Sequence, residues 1–352
     1  MKIGIIDADL IGRRRQRFPN LTCMKLSGYH KARGDEVTLK RDYEGLEAFE
    51  KVYVAKVFTD TPIEQTILEK PNVVYGGTGF FYDRATPLPA EVEHHAPDYH
   101  LYDEWAASRT LNETKFFREY SIGFLTRGCF RHCPFCVNQR SQGVRVHSPL
   151  NEFLDPTRKK IALLDDNFLG CEEWRRLLEE LQETGKRFTF RQGLDVRLLD
   201  DEKAAVLFRS KYDGDYYFAY DDVSDEARIE SRLQMIRRHT SKRCRFYLLC
   251  GYDRRGRWDE EFWLRDIKDL FDRIFLLKRY DMLPYVMRYE RVSESEYRGV
   301  YTAIAAWCNQ PNFFRKKTLR EYAALPSREN DQRRLKEFER EHYDLSFYFD
   351  LK

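Results

Sequence analysis

The 352-residue chain has no long apolar run: nothing in it approaches the roughly 18 consecutive apolar residues that a membrane-spanning helix requires. It has no large excess of one charge. Lys and Arg number 61 and Asp and Glu 58, a net +3 with His neutral. That balance excludes a histone-like polycation or an acidic tail, but it permits a local basic surface. The opening segment MKIGIIDADL has neither a signal-peptide core nor a small-residue cleavage site. It reads as a first β-strand, and the protein is expected to be cytoplasmic. The C-terminal residues 293–352 have no repeat or low-complexity tract. Hydrophobic residues are few for a globular protein, at 42%, yet 25 Phe, 22 Tyr and 5 Trp can fill a core, so disorder is not expected as the dominant state. Eight cysteines without a secretion signal argue against a disulfide framework.

What is present has a clear rhythm. Strands are expected at Lys2–Ile6, Val37–Leu39, Val52–Val57 and Val73–Tyr75, with helices over Leu21–Gly34 and Pro62–Glu69. This is the pattern of a small open parallel α/β sheet over residues 1–80, of flavodoxin-like type. Residues 81–118, with Pro87, Pro89 and Pro97, read as an irregular crossover. His94, His95 and His100 lie there and read as polar linker residues, since adjacent histidines point in different directions. From Tyr120 the alternation resumes, with strands at Tyr120–Leu125, Ile161–Leu164, Phe188–Phe190, Tyr216–Tyr220, Arg245–Leu249, Arg273–Leu277 and a short one at Tyr285–Tyr289. About six strand–helix units over 119–290 fall short of the eight of a closed (β/α)8 barrel, so an open, partial (β/α)6 barrel is expected, with its site at the C-terminal strand ends. Residues 291–352 read as a charged helical segment. The fold class is therefore α/β.

The most informative segment is Thr126-Arg127-Gly128-Cys129-Phe130-Arg131-His132-Cys133-Pro134-Phe135-Cys136. Three close thiols on one loop fit a soft metal. A structural zinc site wants four ligands, usually as two separated pairs, and no second pair is present. Cys-x3-Cys-x-aromatic-Cys, just after the first strand of a β/α series, resembles the signature of the radical S-adenosylmethionine (radical SAM) superfamily. The resemblance spans about residues 118–290. It implies that Cys129, Cys133 and Cys136 hold a [4Fe–4S] cluster, that Phe135 is the aromatic before the last ligand, and that S-adenosylmethionine chelates the open iron. Family members often carry a Gly-Gly-Glu-like segment after the second strand. Here Asp165 and Asp166 stand there, with a carboxylate but no glycines; an ordinary strand end or helix cap is the alternative. Gln192 and Asp195 would meet cofactor or substrate, and Asp195, Tyr220 and Cys250 are candidate catalytic groups at later strand ends. For Cys250 a small buried strand thiol is the alternative.

A small α/β domain before such a barrel resembles the cobalamin-binding domain of one subgroup, which often carries Asp-x-His-x-x-Gly after its first strand. Here Asp7 and Gly12 match, Asp9 replaces the His, and Gly76-Gly77 resembles the later glycine pair. Cobalamin therefore stays an open alternative, without a lower-ligand His. With it, methyl transfer is favoured. The resemblance also implies an external one-electron reductant of flavodoxin or ferredoxin type. A small-molecule or peptide substrate is favoured, and no membrane partner is expected. Basic stretches at Arg237–Arg243, Arg254–Arg257 and Phe313–Lys317 leave nucleic acid, tRNA included, as an alternative substrate. A non-catalytic iron–sulfur or zinc protein is the rival of another class.

Overall fold

The computed structural model describes all residues, 1–352, as a mixed α/β protein with several parallel sheets. The chain divides into two compact units, Met1–Arg191 and Gln192–Lys352. No helix is long and apolar enough to cross a membrane.

The first unit holds two parallel sheets. In one, β1 (Lys2–Asp7), β2 (Glu36–Lys40), β3 (Lys51–Ala55) and β4 (Val73–Gly76) lie in the order β2-β1-β3-β4. The central strand β1 is buried from Ile3 onward, because a parallel strand covered on both faces must be apolar throughout. The helix Leu21–Ala32 covers one face. Its N-terminus is fixed by the Asn20 side chain, which accepts from Thr22 N at 3.0 Å and Cys23 N at 3.3 Å.

Residues 81–118, which read as an irregular crossover, contain the short helices Ala90–Glu93, Asp103–Ala107 and Leu111–Arg118. Tyr99, Tyr102, Trp105 and Phe117 are buried there, in one cluster with Ile3, Ile5, Cys23 and Met24. Their prolines break the chain into short pieces, but the aromatic residues between them supply a core layer.

In the other sheet, β5 (Tyr120–Gly123), β8 (Lys160–Leu163) and β9 (Arg187–Phe190) run parallel in the order β5-β8-β9. A two-stranded antiparallel ladder, β6 (Thr126–Arg127) and β7 (Arg145–Val146), closes the base of the cysteine loop.

The second unit holds the parallel sheet β10 (Tyr217–Ala219), β11 (Arg245–Cys250) and β12 (Leu283–Arg288). The run Arg273–Leu277, expected as a strand, instead continues the helix Glu260–Arg279. Phe262, Trp263, Ile267, Leu270, Phe271, Ile274 and Leu277 recur every three or four residues on its buried face, so the helical period carries on through the apolar run. Residues beyond 291 are helical, with Arg298–Cys308 and Glu329–Glu341 the longest pieces.

Candidate functional site: the cysteine loop and the strand ends

Gly128 opens the cysteine loop at φ +98°, and a Cβ there would sit 2.0 Å from the Gly143 carbonyl oxygen. Only glycine allows the two arms of the loop to approach so closely. Cys129 N donates to Ser141 Oγ at 2.8 Å across the same neck. Beyond it, Cys136 N donates to the Cys133 carbonyl at 2.9 Å, which forms the turn between the last two thiols.

Backbone amides of Arg131 and Asn138 donate to Cys129 Sγ and Cys136 Sγ, each at 3.4 Å, and Asn167 Nδ2 donates to Cys129 Sγ at 3.4 Å. Such donors favour a sulfur that carries negative charge. Cys129, Cys133 and Cys136 are all partly exposed, whereas Cys23, Cys171, Cys244, Cys250 and Cys308 are buried. Burial pushes those five thiols up, Cys244 to about 12. No group of three or more His, Cys, Asp or Glu side chains converges in a metal-holding arrangement. The donor chemistry of the loop nonetheless suits a thiolate-bound iron centre. The histidines of 94–100 find separate partners: His94 pairs with Glu152 at 3.0 Å and His100 with Asp103 at 2.7 Å.

Asp165 and Asp166 follow β8 and hold this loop. Asp165 is buried and accepts from Leu125 N at 3.3 Å, Thr126 N at 2.6 Å and Thr126 Oγ1 at 2.7 Å. Burial, opposed by those hydrogen bonds, pushes its carboxyl up to about 7. Asp166 accepts from Gly128 N at 2.9 Å and Asn138 Nδ2 at 2.6 Å, so it grips both arms of the loop. Asn167, which sequence reasoning did not single out, is 2% exposed, and its Oδ1 is a buried acceptor without a partner. A buried polar atom left without a partner is uncommon. Phe135 joins the neighbourhood through its carbonyl, which accepts from Tyr82 Oη at 3.0 Å.

Glu93 ties the loop's base to the first sheet. It accepts from Lys25 on the helix Leu21–Ala32 at 2.9 Å, from Arg127 on β6 at 3.2 Å and from His147 after β7 at 2.9 Å. Partial burial opposes its charge, but the His147 and Lys25 hydrogen bonds and the Arg127 charge prevail and pull its carboxyl down to about 2.

At the C-terminal edge of the first sheet, Asp9 is fully buried. It accepts from Val57 N at 2.7 Å, Phe58 N at 3.4 Å and the Thr61 hydroxyl. The carboxylate standing where a cobalt-ligating His would be is thus engaged by the protein's own backbone. Gly77, at φ +109°, has the Lys56 carbonyl oxygen 2.3 Å from where a Cβ would be, so this glycine serves a backbone approach; Gly76 faces open space. Asp7 accepts from Tyr102 Oη at 2.9 Å, and burial pushes its carboxyl up to about 7.

In the second unit, Gln192 is exposed, and Asp195 is paired with Arg197 at 2.8 Å, which also reaches Asp225 at 3.1 Å. Tyr220 and Cys250 lie buried at the ends of β10 and β11. The Tyr220 hydroxyl has no partner, and Cys250 Sγ donates to the Met287 carbonyl at 3.5 Å. Buried Arg273 links these two strand ends, donating to the Tyr220 carbonyl at 3.1 Å and the Leu249 carbonyl at 2.9 Å. Nothing local in the sequence marks Arg273, because it sits on an otherwise apolar helix face. No protein-family model matches the chain, and no curated protein resembles it significantly.

Proposed function

We propose that this chain is a radical SAM enzyme in which Cys129, Cys133 and Cys136 hold a [4Fe–4S] cluster. The observation that carries the reading is the cysteine loop itself: its thiols are the partly exposed ones, amide donors face two of the sulfurs, and Asp165 and Asp166 fix the loop from beneath. Parallel three-stranded sheets, β5-β8-β9 in one unit and β10-β11-β12 in the other, support the α/β part of this reading. The chemistry such a cluster supplies is one-electron reductive cleavage of S-adenosylmethionine to methionine and a 5′-deoxyadenosyl radical, with the electron from a flavodoxin- or ferredoxin-like donor.

The chain's own residues have definable parts in this reading. Asp166 holds the two arms of the loop together. Asn167 presents an unused buried acceptor beside Cys129, suited to an N–H or O–H donor of S-adenosylmethionine. In the second unit Tyr220, with an unpartnered buried hydroxyl, Asp195 and Cys250 are the candidate catalytic groups. Cobalamin is not part of the proposal; Asp9, at the place of the cobalt-ligating His, is engaged by Val57 N and the Thr61 hydroxyl.

The test is anaerobic reconstitution with iron and sulfide, then dithionite and S-adenosylmethionine, with 5′-deoxyadenosine quantified by mass spectrometry. The parent protein is expected to form it and Cys133→Ala to form none. A fully loaded cluster that yields none overturns the enzyme reading in favour of electron transfer. A colourless zinc-loaded protein from anaerobic expression overturns the cluster itself.

A further inference from the structure

The basic stretches conspicuous in the sequence are neutralised in part in the fold. Arg238 and His239 pair with Asp201, Arg243 with Asp281 and Arg254 with Asp222, while Phe314 is buried. A different surface has the opposite character. Six of the thirteen exposed large apolar side chains are Val57, Phe58, Val74, Tyr75, Phe81 and Tyr82, between 36% and 48% exposed. They lie on edge strand β4 and on the segments that follow β3 and β4, at the C-terminal edge of the first sheet. The segment after β1 reaches the same edge, where the Arg13 guanidinium stands 4.1 Å over the Phe58 ring. Tyr75 and Phe81 stack at 5.7 Å with 14° between their planes. Arg14 and Arg15, next to Arg13 in the chain, and Arg84, two residues after Tyr82, are exposed and form no ion pair, whereas Arg13 pairs with Asp60.

An apolar protein partner would bury the guanidinium groups of Arg14, Arg15 and Arg84 without a carboxylate, which is costly. A polymer with flat faces and regularly spaced anions satisfies both halves of the surface. We propose that this edge binds single-stranded nucleic acid, with bases stacking on Phe58, Tyr75, Phe81 and Tyr82 and phosphates facing Arg14, Arg15 and Arg84. The surface adjoins the cysteine loop, since Tyr82 Oη bonds to the Phe135 carbonyl and Arg140 pairs with Asp83 at 2.9 Å. The binding itself stands independently of any metal on that loop.

The experiment is fluorescence anisotropy of the full chain with labelled U15 and dT15 oligonucleotides, and with a 15-base-pair duplex as comparison. Single strands are expected to bind more tightly than the duplex, and the two oligonucleotides distinguish RNA from DNA. With three phosphate-facing arginines, affinity should fall roughly 20-fold between 50 and 200 mM salt. Phe58→Ala and Tyr75→Ala should each weaken binding at least about fivefold with unchanged melting temperature, while Tyr75→Phe retains it. The double variant Arg14→Glu/Arg15→Glu should flatten the salt dependence. No binding at 50 mM salt overturns the proposal. So does binding that ignores the aromatic substitutions, or concentration-dependent self-association in sedimentation that Tyr75→Ala abolishes.

Discussion

The two sheets of the first unit use one device for different loads. In the first sheet, buried Asp9, following β1, accepts amides from the segment after the neighbouring strand β3. In the second, buried Asp165, following β8, accepts amides from the segment after the neighbouring strand β5. Each brace also takes a threonine hydroxyl, from Thr61 and Thr126 respectively. A strand-end carboxylate so placed satisfies amides that the end of the parallel ladder leaves unpaired. The difference lies in what is held. The first brace presents exposed rings and unpaired arginines, and the second a loop of thiols with an idle acceptor at Asn167. The brace belongs to the fold, and chemistry is assigned by the loop attached to it.

The largest expected effect separates the loop's thiols from the others. Ellman's reagent should titrate Cys129, Cys133 and Cys136 rapidly in the native apo-protein and reach the remaining five cysteines only in denaturant. Fast reaction of a fourth thiol would erase the distinction. Next, Asp165→Ala strands three buried donors and Asp9→Ala one buried and two part-buried ones; each should cost about 2–4 kcal/mol in urea denaturation, Asp165→Ala the more. Only Asp165→Ala should speed alkylation of Cys129, and only Asp9→Ala should change dye binding at the aromatic edge. Equal responses at both places would mean that the braces do not act locally.

Titration offers a subtler contrast. Burial raises the carboxyls of Asp7 and Asp165 from the usual carboxylate range to about 7. Each therefore holds a proton more tightly folded than unfolded. Their contribution is full below about pH 4 and is lost as pH rises through about 7. Melting temperature should fall by a few degrees between pH 5 and 8 on this account, and Asp165→Asn should reduce the slope. Glu93 has the reverse sign: its pKa is lowered to about 2, so its contribution is present above about pH 4.5 and lost as pH falls through 2. The smallest effect is expected of Asp166→Ala. Losing two partly buried hydrogen bonds should cost about 1–2 kcal/mol and show chiefly as faster loop alkylation.

How much of this could be read from the residues follows from the range of the interactions. The thiol spacing, the strand before it and the alternation that yields parallel sheets are local patterns, and the α/β class follows from them. Asp165 and Asp166 stand out by their place after a strand, but that they grip the chain near Thr126 and Gly128 is a contact across some 40 positions of sequence. Asn167 carries no local signal, because its significance is a missing partner. Arg237 to Arg243 look like a free basic patch because Asp201 and Asp281 are remote in sequence. The run 273–277 misleads because five residues of largely apolar character fit a short strand as well as a helix turn; the buried residues upstream decide the matter.

The carboxylate of Glu93 bears on how such a chain can be inherited. Lys25 reaches it from one sheet's helix, Arg127 and His147 from the other sheet's hairpin, and Arg158 further crosses to the carbonyls of Tyr99 and Phe117. A recombination breakpoint between Gly76 and Glu93 would part buried Lys25 from its carboxylate, and one between Glu93 and Tyr120 would part Glu93 from Arg127 and His147. A transplant of the first 118 residues alone would therefore carry away one side of a charge cluster whose other side stays behind.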